Sequence, residues 1–145
     1  MEGIAAYDGA VKTLVFGAGS EPLQANRVAT VQALGGTGAL RLGADLLHQM
    51  GGRHALISNP SWENHRGIFQ RAGFAVDSYA YYNAAEQGLD FAGMVQSLRS
   101  AAPGTVVVLH ACCHNPTGYD LSPQQWQAVV DIARKSFAPA GRLML

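Results

Sequence analysis

The sequence predicts an α/β fold in which helices flank a largely parallel β-sheet. Short apolar stretches of strand length alternate with amphipathic stretches of helical length along the 145 residues. The connections between them are mostly short. Residues 105–110 contain an uninterrupted apolar run, which is typical of a strand buried on both faces of a sheet. There is no internal repeat or low-complexity linker, so we expect residues 1–145 to form one domain or part of one.

The first third of the chain predicts a helix, a strand and a second helix. Apolar residues at helical spacing predict an opening amphipathic helix. These residues are Ile4, Tyr7, Val11, Leu14 and Val15. Residues 28–34 then read as a buried strand and residues 35–38 as a tight turn, and the second helix ends at residues 51–52. The apolar face of that helix comprises Ala39, Gly43, Leu46, Leu47 and Met50.

The rest of the chain predicts three strands and three capped helices. Residues 54–58, 74–81 and 105–110 read as strands. Ser61 is placed to cap a helix that runs to about Arg71, and Asp90 to cap another. Ser122 and Gln125 predict a capping box at the start of the last helix. The apolar positions of the last two helices are Phe91, Met94, Val95, Leu98, Trp126, Val129, Val130 and Ala133.

Composition excludes several classes of function. The formal net charge is zero, so the clustered positive charge that nucleic-acid binding needs is absent. No apolar run approaches the roughly 20 residues that span a bilayer, and the N-terminus does not resemble a signal peptide. Cys112 and Cys113 are adjacent, and neighbouring side chains of a strand diverge, so we expect no disulfide between them and a reducing, cytoplasmic location.

Residues 35–38, Gly-Gly-Thr-Gly, form the first of three loops that we expect at the carboxyl ends of strands, where ligands bind in such sheets. A glycine-rich loop before a helix offers free N–H groups and can hold a phosphate, with Thr37 as an additional donor. The alternative is an ordinary connection between strand and helix. Arg41 stands where the dinucleotide fingerprint has its third glycine, and the loop lacks the ending of a nucleoside-triphosphate loop.

The second loop, residues 59–65, places Trp62 at the start of a helix and His65 about one turn later. Tryptophan there is a flat platform on which an aromatic ring can stack. A core tryptophan and a surface histidine are the alternative.

The third loop, residues 110–118, follows the strongest strand. Its His and Cys residues raise the possibility of zinc, but Cys112, Cys113 and His114 are consecutive, whereas zinc patterns separate paired ligands by two or more residues. We therefore expect no metal. The turn at Asn115-Pro116 is expected to present Asn115 to a ligand, unless it is an ordinary turn asparagine.

Together the three segments resemble class I, fold-type-I aminotransferases of the aspartate/aromatic subgroup. The resemblance rests on Gly-Gly-Thr-Gly-Ala-Leu at 35–40, Asn-Pro-Ser-Trp-Glu-Asn-His at 59–65 and His-Ala-Cys-Cys-His-Asn-Pro-Thr-Gly at 110–118. It implies part of the large domain of a three-layer α/β/α enzyme that binds pyridoxal 5′-phosphate. It also implies a homodimer that transfers an amino group between an amino acid and a 2-oxo acid such as 2-oxoglutarate.

The resemblance further implies a role for each matching residue. Gly36 and Thr37 would hold the cofactor phosphate, and Gly35 and Gly38 would shape that loop. The indole of Trp62 would stack on the pyridine ring, and Asn115 would donate a hydrogen bond to the phenolic oxygen of the ring. Two histidines behind these groups would connect to the aspartate that keeps the pyridine nitrogen protonated. They are His65 and His110. The remaining side chains of the third loop, Cys112, Cys113 and His114, would be packing residues of the strand end.

Transamination requires a lysine that binds the cofactor covalently and then moves the proton. The lysines of this chain, Lys12 and Lys135, do not match the context of that lysine in the family. We therefore expect no catalytic residue in this chain and no turnover by the chain alone. A remnant that binds pyridoxal phosphate without catalysis is the alternative, and an unrelated nucleotide-binding domain is a third possibility.

Overall fold

Strands and helices alternate along the chain, and the strands form a parallel sheet, as the sequence predicts. The structure is a computed structural model and describes residues 2–136 and 142–144. Within the described residues, every helix is too short or too polar to cross a membrane. The chain divides into two compact units, Met1–Leu42 and Gly43–Leu145.

The first unit is helical. It contains α1 (Ala5–Phe16), α2 (Glu21–Gln24) and the beginning of α3 (Gly35–Gln49). Gly17, with φ of +82°, ends α1, and its N–H donates to the carbonyl of Thr13 over 2.9 Å. The helices at both ends of this unit are confirmed, whereas the strand that the sequence predicts between them is not.

The second unit contains the sheet. Its strands are β1 (His54–Asn59), β2 (Ala75–Ala80), β5 (Val106–Val108) and β6 (Arg142–Met144), in the spatial order β2-β1-β5-β6 and all parallel. The helices are α4 (Asn64–Arg71), α5 (Phe91–Arg99) and α6 (Pro123–Ser136). A short hairpin of β3 (Tyr82–Asn83) and β4 (Gly88–Leu89) precedes α5, and the sequence analysis does not predict it.

The core of the second unit lies between the sheet and helices α5 and α6. Val106, Val107 and Val108 are each at most 3% exposed, as the apolar run predicts for a central strand. The buried members of the cluster are Tyr79, Tyr81, Met94, Leu98, Val107, Leu109, Leu121, Val129 and Ile132. Burial of side chains of this size contributes about 1.5–3 kcal/mol each, and the cluster therefore holds β5 and its outgoing loop in place.

Two helix starts form as the sequence predicts. The Asp90 carboxylate accepts a hydrogen bond of 2.8 Å from the N–H of Gly93 at the start of α5. At α6, the N–H of Gln125 donates to Ser122 Oγ over 3.3 Å, and the N–H of Ser122 donates to Gln125 Oε1 over 2.8 Å. This reciprocal pair is a capping box.

Residues 28–34 contradict the predicted buried strand. They form no strand, and Val31 and Leu34 are 60% and 94% exposed. The N–H of Gln32 donates to the carbonyl of Glu2 over 2.8 Å, and the N–H of Ile4 donates to Gln32 Oε1 over 3.2 Å. A segment with strand propensity forms a strand only where a neighbouring strand pairs with it. The local sequence does not show whether such a partner strand is present.

Helices α1 and α3 form, but their predicted apolar faces are largely wrong. Leu14 is 85% exposed, whereas Asp8 is buried in its place. In α3, Ala44 is the buried residue, while Leu46 and Met50 are more than half exposed. The helix begins at Gly35, so residues 35–38 are its first turn and not a turn before it. Periodicity predicts the helix but does not show which surface covers it.

Ser61 does not cap α4, which begins at Asn64 with no side-chain cap at Glu63. The hydroxyl of Ser61 instead shares a hydrogen bond of 2.9 Å with Nδ1 of His65. The predicted end of this helix at Arg71 is confirmed. Strand β5 ends at Val108, two residues earlier than predicted.

We predict that Ser122→Ala lowers the free energy of unfolding by about 1 kcal/mol, because the first turn of α6 loses its side-chain acceptor. Urea denaturation followed by circular dichroism measures the change. Gln124→Ala, an exposed substitution in the same turn, is the control and should change the free energy by less than about 0.5 kcal/mol. Equal effects of the two substitutions would show that the capping box does not stabilise α6.

Candidate functional site

Two of the three predicted loops lie side by side. Strands β1 and β5 are adjacent and parallel, with Ala55 opposite Val106 and Leu56 opposite Val107. Their carboxyl ends therefore meet at the same edge of the sheet. The loop that follows β1 carries Trp62, and the loop that follows β5 carries Asn115.

A buried histidine connects the loop after β5 to the end of β1. His114 is 2% exposed, and its Nε2 shares a hydrogen bond of 2.9 Å with the hydroxyl of Ser58, near the end of β1. Its Nδ1 shares one of 2.8 Å with the hydroxyl of Thr117. The imidazole is stacked on the ring of Tyr81 at a centroid separation of 3.7 Å. His114 is buried as predicted, and it also determines how the turn at Asn115 is attached to the sheet.

Three histidines form an aromatic cluster at this edge. The ring centroids of His65 and His110 are 5.1 Å apart, and those of His110 and His114 are 4.5 Å apart. Trp62 is half-buried and meets His65 edge to face at 5.3 Å. Trp62 lies in the loop just before α4, where the sequence predicts the first helical turn. The prediction of a surface histidine as the alternative for His65 is wrong, because His65 is only 5% exposed.

His110 has one ring nitrogen in use and one without a partner. Its Nδ1 accepts a hydrogen bond of 3.2 Å from the N–H of Asn115. Because Nδ1 is the acceptor, a neutral ring carries its proton on Nε2. His110 Nε2 is buried and has no hydrogen-bond partner among the residues that the structure describes. The site therefore presents an N–H donor that requires an acceptor, and the exposed Asn115 lies beside it.

The environment keeps this histidine cluster uncharged. Burial and, to a smaller extent, the proximity of His110 lower the pKa of both His65 and His114 to about 4. Burial also lowers the pKa of His110, although the Asp120 carboxylate opposes that effect. Burial raises the pKa of Tyr81 to about 12. At neutral pH the cluster consists of neutral imidazoles, which can orient groups by hydrogen bonding without adding charge.

Asp120 fixes the loop from its other side. The carboxylate accepts hydrogen bonds of 2.8 Å from the N–H of Cys113 and 2.9 Å from the N–H of His114. These bonds lower the pKa of Asp120. Cys112 and Cys113 are both exposed and free, so their predicted packing role is wrong. In the described part of the chain, no group of three or more His, Cys, Asp or Glu side chains is arranged to hold a metal ion.

The first predicted loop, residues 35–38, lies in the first unit, at the start of α3. Gly35 has a φ of +63°, which favours glycine, and a side chain at Gly35 or Gly36 would meet no atom within 4 Å. The N–H of Gly35 donates to Ala33 O over 3.0 Å and that of Gly38 to Leu34 O over 3.3 Å. The geometry of a helix start leaves the intervening N–H groups, those of Gly36 and Thr37, without intrahelical acceptors. They are suited to hold an anion.

A cavity of about 430 Å³ in the first unit is bordered by Gly35, Gly36 and Asp8. Asp8 is 7% exposed, and its Oδ1 has no hydrogen-bond partner within residues 2–136 and 142–144. A carboxylate disfavours an anion in this space. The N–H groups at the start of α3, and not the cavity as a whole, therefore carry the argument for phosphate.

Two cavities of the second unit have different linings, and only one of them adjoins a predicted motif. One of about 180 Å³ lies beside Trp62 and is also bordered by Arg66 and Ser78. Another of about 370 Å³ lies at the amino ends of β1 and β5, near His54 and Thr105, where none of the motifs lies. We favour the edge with Trp62 because the aromatic platform and the unpartnered imidazole N–H lie there.

The fold and these groups define an α/β domain with an aromatic platform and an unpartnered imidazole N–H at the carboxyl edge of its sheet. The model of the family "Aminotransferase class I and II" matches residues 1–139, and the chain belongs to this family.

Relatives and solved structures agree with that assignment. An aspartate aminotransferase of Pseudomonas aeruginosa is 53% identical over 135 residues, covering 92% of this chain and 34% of that protein. The aromatic-amino-acid aminotransferase of Escherichia coli is 44% identical over 92% of this chain and 34% of its own length. An aromatic-amino-acid aminotransferase of Burkholderia pseudomallei, covalently bound to pyridoxal phosphate, superimposes with a TM-score of 0.92 at 50% identity, covering 98% of this chain and 35% of that one. The chain thus spans about a third of the length of these relatives.

Sequence reasoning identifies the residues that face the site better than those that support them. The sequence places Trp62, His65, His110 and Asn115 near strand ends, and the structure brings them to one edge. It does not identify the supporting residues. These are Ser58, Tyr81, Thr117 and Asp120. Among these supporting residues, only Asp120 has a local signal in the sequence, because it is a carboxylate a few residues after a turn.

We predict that the protein loses stability as pH falls from about 6.5 towards 4. In this range the unfolded chain binds protons at His65 and His114, whose ordinary pKa is about 6.5, while the folded chain does not. Stability from this source is complete above pH 6.5 and decreases below it.

Urea denaturation at a series of pH values measures this slope. His65→Asn should make the slope smaller, since one group with a lowered pKa is removed. His54→Asn, at an exposed position, is the control and should leave the slope unchanged. A slope identical in all three proteins would contradict the explanation.

Proposed function

We propose that this chain forms part of the pyridoxal 5′-phosphate site of an aspartate/aromatic aminotransferase. The enzyme would transfer an amino group between an amino acid and a 2-oxo acid such as 2-oxoglutarate. The observation that carries the proposal is the meeting of Trp62, Asn115 and the unpartnered N–H of His110 at the carboxyl edge of the sheet. The pyridoxal-phosphate-bound relative with a TM-score of 0.92 supports it.

Each part of the cofactor has a suitable group in this chain. The N–H groups of Gly36 and Thr37, with the Thr37 hydroxyl, would bind the phosphate. Gly35, whose φ is +63°, allows the backbone of that turn, and Gly38 would complete the loop. When bound, the cofactor supplies an electron sink for carbanion chemistry.

Groups in the second unit would orient the ring of the cofactor. The indole of Trp62 provides a surface of about the right size for an aromatic ring. The Asn115 amide is exposed and can donate to the ring oxygen. His65 and His110 are neutral, and the Nε2–H of His110 has no acceptor among the described residues. A carboxylate that pairs with the pyridine nitrogen would be a fitting acceptor.

Fluorescence titration with pyridoxal phosphate tests the ring site. The chain has two tryptophans, Trp62 and Trp126. A stacked pyridine ring quenches the adjacent indole, so we expect Trp62→Phe to remove most of the quenching and Trp126→Phe to retain it. Quenching that survives Trp62→Phe would exclude the stacked arrangement.

The same titration tests the phosphate site. Thr37→Val should weaken binding of pyridoxal phosphate by roughly tenfold or more, because a hydrogen bond to a charged group is lost. Binding of pyridoxal, which has no phosphate, should not change. Thr13→Val is the matched control, because the Thr13 hydroxyl bonds only to a carbonyl of its own helix.

We also propose that these 145 residues alone do not catalyse transamination. Lys12 lies in α1 and Lys135 in α6, away from the motifs of the second unit in sequence, and neither has the family context of the catalytic lysine. We predict no turnover of aspartate or tyrosine with 2-oxoglutarate and pyridoxal phosphate. Peptide mapping after borohydride reduction should show no single preferred lysine. Turnover, or one specifically labelled lysine, would contradict the proposal.

The protein to which these residues contribute is proposed to be a cytoplasmic homodimer. Large exposed apolar side chains support association, including Leu14 at 85% and Leu34 at 94% exposure. The free thiols of Cys112 and Cys113 suit a reducing compartment.

A further inference from the structure

The two cysteines of this chain form an exposed pair that the proposed aminotransferase chemistry does not use. Cys112 and Cys113 are the only thiols in the sequence. The expectation that their side chains diverge assumes an extended strand. However, β5 ends at Val108, and Cys113 has a φ of +54°. This left-handed backbone turns the second thiol away from the position that a strand would give it.

The two thiols are neighbours on this turn, and each is exposed and free. The adjacent Cys112 thiol is the largest cause of the raised pKa of Cys113. The backbone beneath the pair is held by Asp120, whose carboxylate accepts the N–H groups of Cys113 and His114. The fold therefore presents two adjacent thiols on a fixed turn.

We propose that Cys112 and Cys113 form a dithiol site that chelates a thiophilic trivalent electrophile, of which an organic arsenic(III) oxide is the representative class. Each thiol transfers its proton to the oxygen bound to arsenic, and each sulfur forms one bond to arsenic. The oxygen leaves as water, and no oxidant or reductant is needed.

The number of ligands selects this class. An arsenic(III) atom that carries one organic group needs two more ligands, which this pair supplies. Zinc needs four ligands, and within the described residues no third or fourth ligand is arranged near the pair. Soft sulfur ligands also favour soft acceptors. The raised pKa of Cys113 slows attack by that thiol on reagents that bind a single thiolate. A chelating reagent compensates by forming a second bond.

Phenylarsine oxide and intact mass spectrometry test the proposal on the whole chain. We expect one phenylarsine group per wild-type molecule, retained against excess 2-mercaptoethanol and released by 2,3-dimercaptopropanol. Cys112→Ser and Cys113→Ser should each lose the adduct to 2-mercaptoethanol, because one sulfur cannot chelate. Retention by either single variant, or loss from the wild type, would overturn the proposal.

A second comparison separates the folded geometry from simple adjacency in sequence. Asp120→Asn removes the charged acceptor beneath the pair and should raise the half-saturating concentration of phenylarsine oxide several-fold. Asp131→Asn, at an exposed position on α6, should leave it unchanged. Wild type in urea provides the unfolded reference should Asp120→Asn fail to fold. Equal affinity of the folded and unfolded wild type would refute a role for the fold. The site needs no pyridoxal phosphate, so its failure and that of the proposed function are independent.

Discussion

The hydrogen bond between Ser58 and His114 is the contact on which the candidate site most depends. It joins residues 56 positions apart and ties the end of β1 to the loop after β5. Both ring nitrogens of His114 bond to hydroxyl groups, and the ring is stacked on Tyr81. A buried polar ring is tolerated only when its nitrogens have partners. The imidazole of His114 therefore requires Ser58 and Thr117 as hydrogen-bond partners and Tyr81 as its stacking partner. These contacts of His114 fix the position of the turn that contains Asn115.

The sheet makes this contact possible. The valine run of β5 is buried, and parallel pairing with β1 aligns the carboxyl ends of the two strands. The apolar cluster of α5, α6 and the sheet supplies the free energy, while the polar contacts at the edge select one geometry for the loops. The division is common in proteins in which a rigid scaffold carries functional loops.

The sequence predicts individual strands and helix caps well, but it predicts poorly which faces of an element are buried by other parts of the protein. Strands β1, β2 and β5, the cap at Asp90 and the box at Ser122 and Gln125 follow from nearby residues, and the structure contains them. Residues 28–34 and the apolar face of α1 depend on which surfaces pack against them, and these predictions are wrong. The same limit applies to the site: the motifs predict Trp62 and Asn115, whereas Asp120 and Tyr81 become relevant only when the chain is folded.

The protonation of His110 connects the geometry to the proposed chemistry. Nδ1 accepts the N–H of Asn115, and burial lowers the pKa of the ring, so the neutral ring carries its proton on Nε2. A buried donor without an acceptor costs about 1–3 kcal/mol. The edge of the sheet is therefore built to receive an acceptor. A carboxylate satisfies the Nε2–H, and its negative charge also favours a protonated pyridine nitrogen beside it. One carboxylate would satisfy both the Nε2–H of His110 and the pyridine nitrogen of the proposed cofactor, and this supports the proposal that the ring of the cofactor lies at this edge.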